Sequence, residues 1–257
     1  MGQIRKGFRG IVKIDGNILL RVNTVDIQRR QDAIPYLPTY AGKRLHRIWR
    51  RGVGSIAGSI SFPLTEGKID GLVELVDDMT EFDMEINYYS GQSKLYTGCI
   101  IGNLSFTCSA GEVVTGQMNI SATGVSDAIR TVGYTKGEKI VTWDKSNIQF
   151  SSAYIDELLT GFTYNIDNGL KTIYTQKQLM PSHINPAIQN VNGNFEFYDF
   201  VLPVVGSAEH ELGFKEVQFT IDTWTTKHDV VLNPTESNPL SANVIISSVE
   251  WTRSDDF

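Results

Sequence analysis

The sequence predicts a mainly β protein of α+β class, organised as two tandem domains over residues 1–130 and 131–257. Three observations carry that reading. Apolar and polar residues alternate with period two through many short segments, only one stretch keeps a helical period, and three blocks recur in the same order at nearly constant spacing. In the first block, Ile11 to Asp15 and Ile18 to Gln28 alternate on either side of Asp15-Gly16-Asn17, which reads as a turn between strands. A long irregular segment from Arg29 to Ser55 follows, and then the strand Gly58-Ser59-Ile60-Ser61-Phe62. Ile69, Leu72, Val73, Leu75, Val76 and Met79 share one helical face after Pro63 and Thr65-Glu66-Gly67-Lys68, so one amphipathic helix is expected there. Strands resume at Phe82–Ile86, turn near Ser90-Gly91, and continue through Leu104–Phe106 and Met118–Ile120.

The stretch Gly124 to Gly137 is rich in turn formers and is the expected linker. Beyond it the blocks return. Leu158 through Ile166 answers Leu19 through Ile27, Gly193–Phe197 answers Gly58–Phe62, and Val217–Ile221 answers Phe82–Ile86. Tandem duplication accounts for the shared order and spacing, with each domain expected to lay a helix on its sheet. In the second domain that helix shrinks to the short stretch Ser207–Gly213.

Composition bounds the function. With 41% hydrophobic and 20% charged residues the chain can build a core, and no run approaches the length of a membrane helix, so no membrane anchor is expected. The segment Met1 to Asn17 lacks the apolar centre of a secretion signal, and the chain is expected to stay unexported. Cys99 and Cys108 are expected to be reduced and buried. The net charge of −6 is unevenly divided. Residues 1–133 hold 15 Lys and Arg against 13 Asp and Glu, a balance of +2, whereas residues 134–257 hold 8 against 16, a balance of −8. Such a molecule is suited to meeting copies of itself, or a polyanion, in one orientation.

No catalytic constellation stands out, and the expectation is a protein without enzymatic activity. The histidines His46, His183, His210 and His228 are scattered and make no metal motif, and Gly52–Gly58 has GxGxxxG spacing in place of a dinucleotide loop. No catalytic residue, metal or cofactor is therefore expected. Two charged clusters remain. Nine of the eleven arginines fall within the first 51 residues, four of them as Arg44, Arg47, Arg50 and Arg51 around Trp49. The carboxylates Asp77, Asp78, Glu81, Asp83 and Glu85 crowd the end of the expected helix and the next strand.

The order of strand pair, long loop, Gly-Ser-Ile-Ser-Phe strand, helix and strands resembles the phage tail tube domain. The stretch Gly161–Gly169 followed by Val191–Phe197 is the part most similar to it. The resemblance covers nearly the whole chain. It implies β-sandwich domains whose sheets close an inner barrel around a DNA-conducting bore, with the helix on the outer side. Two domains per chain then imply trimeric, pseudo-hexameric rings stacked into the tube that conducts viral DNA during ejection, without sequence-specific binding. The implied partners are further copies of the chain, tail terminator and baseplate proteins and, in a contractile tail, a sheath. The implied location is the virion tail, assembled in the host cytoplasm. The long segments Arg29 to Ser55 and Thr175 to Asn190 fit arms that order only against adjacent rings. On this reading Arg44, Arg47, Trp49, Arg50 and Arg51 make inter-subunit or inter-ring contacts, because a bore that grips phosphates would stall the genome. Asp77, Asp78, Glu81, Asp83 and Glu85 line an acidic bore or rim. Alternatives are a baseplate tube-initiator or tail-terminator protein of the same fold, or a β-sandwich carbohydrate- or receptor-binding module using the ten tyrosines and four tryptophans.

Overall fold

The computed structural model describes residues 10–36, 39–40, 43–44, 48–88, 92–129, 138–150, 153–154, 159–176, 178–203, 214–231 and 243–254. They form a mainly β fold of antiparallel sheets with one α-helix, and none of the described sheets closes into a barrel.

The first half opens with β1 (Gly10–Ile14) and β2 (Ile18–Val22), paired from Gly10↔Val22 to Ile14↔Ile18. The turn between them needs left-handed backbone at two successive residues, Asp15 at φ 44° and Gly16 at φ 75°, and Asp-Gly supplies it. Next come β3 (Thr24–Tyr36) and β6 (Ile48–Pro63), which pair as one long ribbon. The small strands β4 (Thr39–Tyr40) and β5 (Lys43–Arg44) pair between them in the chain. The expected irregular loop from Arg29 to Ser55 is therefore corrected: ladder pairing, with a register shift between Gln31 and Ala33, carries strand structure through a segment whose prolines and arginines mask its alternation. At Gly58 a Cβ would stand 2.0 Å from the backbone oxygen of Asp26, so only glycine lets the two strands approach there.

The helix α1 (Ile69–Asp77) buries Ile69, Leu72, Val73 and Val76, the face the sequence spacing predicts. Strands β7 (Phe82–Asn87), β8 (Ser93–Ser109) and β9 (Thr115–Ala128) complete the half. The strand β9 takes in Gly124 to Ala128, so the expected linker starts later than its composition suggests, and residues 130–137 lie outside the described residues.

The second half contains β10 (Ser146–Phe150), β11 (Ala153–Tyr154), β12 (Leu159–Asp167), β13 (Lys171–Ile173), β14 (His183–Asn185), β15 (Asn190–Pro203), β16 (Phe214–Ile221), β17 (Trp224–Val231) and β18 (Asn243–Ser254). The helix expected at Ser207–Gly213 falls outside the described residues. Five antiparallel ladders of the first half, β1–β2, β1–β7, β7–β8, β3–β6 and β6–β9, have counterparts in the same chain order: β10–β11, β10–β16, β16–β17, β12–β15 and β15–β18. The buried triplet Phe82, Met84 and Ile86 of β7 returns as the buried triplet Val217, Phe219 and Ile221 of β16, at the same offset that separates Gly58 from Gly193. One correspondence needs correcting. Gly58 pairs with Ile27 and Gly193 with Tyr164, so the ladders match Ile27 of β3 to Tyr164 of β12 and not to Ile166.

The strand β8 joins the halves. Its first part pairs with β7, its second part pairs with β12 from Asn103↔Asp167 to Ser109↔Gly161, and its other edge pairs with β9. A ten-stranded sheet results, against which the four-stranded sheet β11-β10-β16-β17 packs. At that contact Phe219 meets Phe162 edge-on at 4.8 Å and Phe195 at 4.9 Å between ring centroids. Burying each such ring stabilises the fold by roughly 1.5–3 kcal/mol.

Candidate assembly surfaces

The two faces of the large sheet differ sharply. Ile56, Ile60 and Phe62 of β6, Met118 and Ile120 of β9, Leu104 and Phe106 of β8, Phe162, Tyr164 and Ile166 of β12, and Val191 and Phe195 of β15 are buried in the core. The alternating positions face away from it: Ser59 and Ser61, Gln117 and Asn119, Asn103 and Ser105, Thr163 and Asn165, Asn192 and Asn194. Period-two alternation therefore produces a nearly neutral, hydrogen-bonding wall that runs through both halves. A ladder of amides ties it together, with Asn103 Nδ2 donating to Asn165 Oδ1 at 2.6 Å and Asn165 Nδ2 to Asn192 Oδ1 at 3.3 Å. Part of this wall forms a shallow depression lined by Asp26, Arg30, Ser59, Asn119 and Asp167.

Of the basic cluster, Trp49, Arg50 and Arg51 lie on the ribbon of β3 and β6. Arg44 is in β5 opposite Thr39, while Trp49, Arg50 and Arg51 are successive residues of β6 opposite Pro35, Ile34 and Ala33. Arg51 is exposed, and Arg47 lies outside the described residues. The second half holds the base of this ribbon. Gly54 donates its backbone N–H to the Leu179 carbonyl, and Tyr174 Oη donates to the Gly54 carbonyl at 3.0 Å. The loop from Thr175 to Asn190 is thus partly ordered within the chain, where the sequence suggested an arm that orders only against other copies. It includes β14, which pairs with β13.

The acidic residues spread over one end of α1 and the following strand. Asp77, Asp78, Glu81 and Asp83 are exposed and Glu85 is half-buried. Asp83 and Glu85 alternate with buried Phe82, Met84 and Ile86, so their side chains leave the strand on the side away from the core. Carboxylates at a helix C-terminus oppose the helix dipole by about 0.3–1 kcal/mol each, and the last turn of α1 has no basic residue to offset Asp77 and Asp78.

Behind them lies a polar knot invisible in the sequence. Asn168 is fully buried. Its Nδ2 donates to the Val76 carbonyl at 2.9 Å and to the Ile101 carbonyl at 3.3 Å, satisfying an end carbonyl of α1. Gln189 Nε2 donates to Asn168 Oδ1 at 3.0 Å and to Asp77 Oδ1 at 3.3 Å. Two second-half side chains, Asn168 and Gln189, thus anchor the end of the first half's helix. Replacing Asn168 by Leu removes its bonds to the Val76 and Ile101 carbonyls and to the Gln189 amide, so the chain should lose roughly 1–3 kcal/mol of stability by denaturant titration. An unchanged midpoint would show that the knot holds nothing.

Both cysteines are buried, unpaired residues of β8. Burial pushes the Cys99 thiol up to about 12 and, with Glu112 beside it, that of Cys108 to about 11, which keeps both protonated and unreactive at neutral pH. Among the described residues there is no group of three or more His, Cys, Asp or Glu placed to hold a metal ion, and no helix long and apolar enough to cross a membrane.

A neutral wall continuous across two halves, with a long two-stranded ribbon at one side, defines a β-structural protein whose surfaces suit assembly. The sequence profile of the phage tail tube protein family matches residues 41–199, more than half of the chain, and the protein belongs to that family. It is a structural component of the phage tail. The match includes Arg44 to Arg51, the acidic residues Asp77 to Glu85 and the amide ladder, and it crosses residue 130 without a break. A search of curated proteins finds no match.

Proposed function

We propose that three copies of this chain close into a pseudo-hexameric ring, and that stacked rings form the tube through which viral DNA leaves the particle. The observation that carries the reading is the recurrence of five antiparallel ladders in one order, with the buried triplet of β7 returning in β16. A chain with two tail-tube-like domains, 1–130 and 131–257, makes a six-unit ring from three copies. The neutral amide wall is the inner surface. DNA carries one negative charge per ~1.7 Å of axis, so a wall of serine, threonine and asparagine offers the moving polyanion little to hold. Asp26, Asp167 and Glu196 outnumber Arg30 among the charged side chains described on that face.

In this arrangement Arg44, Arg47, Trp49, Arg50 and Arg51 reach a neighbouring copy or ring, where guanidinium forks meet carboxylates. Asp77, Asp78, Glu81, Asp83 and Glu85 belong to the rim, because they stand at the end of α1, in the turn after it and on β7, none of which carries the amide wall. Electron microscopy of the purified chain tests the reading: annular particles of three copies, stacking into tubes, are expected. A chain that stays monomeric at high concentration would refute it.

A further inference from the structure

The helix α1 has no side-chain cap of its own at its start. Its N-cap residue is Lys68, which makes no capping bond, although the start of a helix leaves backbone N–H groups that an oxygen would satisfy. The carboxylate nearest that end in space comes from the second half. Asp222, in the turn between β16 and β17, accepts the backbone N–H of Gly67 on Oδ2 at 2.7 Å. The next residue, Thr223, donates from Oγ1 to Asp70 Oδ2 at 2.6 Å in the first turn of the helix. Asp70 and Asp222 thus stand at the positive end of the helix dipole, where negative charge is favoured.

The approach to the helix is held from the same half. The Leu64 carbonyl accepts the Val141 N–H at 2.8 Å, and the Glu66 N–H donates to the Lys139 carbonyl at 3.0 Å, around an antiparallel bridge of Thr65 with Ile140. At the far end stand Asn168 and Gln189. Residues 139–141, 168, 189 and 222–223 therefore hold polar groups from Leu64 to Asp77, while Ile69, Leu72, Val73 and Val76 are buried in the core.

We infer that α1 is a strut shared by the two halves, and that the turn Asp222-Thr223 is the latch that closes its exposed end. Neither half can turn against the other without parting the helix from one set of partners, so the halves move and unfold as one body. The latch forms within one chain and needs no second copy. The backbone at Asp222 points the same way. Its φ of 53° is left-handed, where glycine is free of strain and aspartate is tolerated. Glycine would suit the turn at least as well, but it would not reach Gly67. The tip is also firmly seated, since the Asp222 N–H donates to the Lys145 carbonyl at 2.8 Å and Trp224 meets Tyr164 edge-on at 4.9 Å between ring centroids.

Hydrogen exchange of the full-length chain, wild type and variants, tests the latch. Asp222→Gly keeps the left-handed turn and removes the carboxylate, so amides 72–77 of α1 should exchange on the order of tenfold faster. Asp222→Asn keeps the turn and an acceptor oxygen, and should stay within about twofold of the wild type. Thr223→Ala, which removes only the bond to Asp70, should speed the same amides severalfold, and it decides the matter if Asp222→Gly does not fold. In the wild type under low denaturant, β7 of the first half and β16 of the second should open together. Unchanged exchange of α1 in Asp222→Gly or in Thr223→Ala, or Asp222→Asn as fast as Asp222→Gly, would make Asp222 a turn residue and overturn the latch. Opening of β7 and β16 at separate denaturant concentrations would overturn the strut.

Discussion

Replacing Phe219 by Ala should destabilise the protein by about 3–5 kcal/mol, the range for truncating a fully buried phenylalanine in a core that cannot collapse around the gap. Phe219 is fully buried and touches rings from two strands of the opposite sheet, Phe162 of β12 and Phe195 of β15, with Tyr164 at 6.1 Å. With Trp224, whose ring meets Tyr164 at 4.9 Å, it is one of the residues through which the four-stranded sheet grips the ten-stranded one. A control at exposed Thr225 on the adjacent strand should stay within ~0.5 kcal/mol. Chemical denaturation of the two variants beside the wild type measures the difference. A loss below about 1 kcal/mol for Phe219→Ala would mean that the sheets are held together elsewhere.

The double reversal Arg47→Glu and Arg50→Glu should have the largest effect on assembly: no tubes, from a chain that still folds. Arg50 pairs with Ile34 in the β3–β6 ribbon, apart along the strand from Ile56, Ile60 and Phe62, which β6 buries in the core, and the reversal is expected to leave folding intact. Two reversals turn attraction between guanidinium groups and carboxylates of a neighbour into repulsion, and like charges brought together at an interface cost several kcal/mol. Thermal melting should match the wild type while electron microscopy shows rings or monomers without tubes. Normal tubes from this variant would make the cluster a passive, solvated surface.

What the sequence made legible was what depends on near neighbours. The helix was readable because Ile69, Leu72, Val73 and Val76 repeat at helical spacing, and the first hairpin because Asp15-Gly16 supplies the left-handed backbone its turn requires. The ribbon of β3 and β6 was not. Pro35 and the arginines around Trp49 interrupt the apolar alternation, and the strands exist because each lines up with the other across the ladder. The amide wall was hidden for the same reason. Asparagine is disfavoured in strands, and the link between Asn103 and Asn165 joins residues far apart in the chain, so nothing local marks it. In the sequence Asn168 is a polar residue beside a glycine, and only the tertiary fold brings the end of α1 over it.

On the proposed reading the neutral face of the large sheet is the inside of a tube. A cryo-electron microscopy map of assembled tubes, at a resolution that shows side chains, tests it most directly. Threefold rings are expected whose bore is lined by Asn119, Asn165 and Asn192, with acidic side chains outnumbering basic ones and the Lys43–Arg51 segment away from it. A bore lined by Arg44, Arg50 and Arg51 would contradict it and make those residues a contact for DNA.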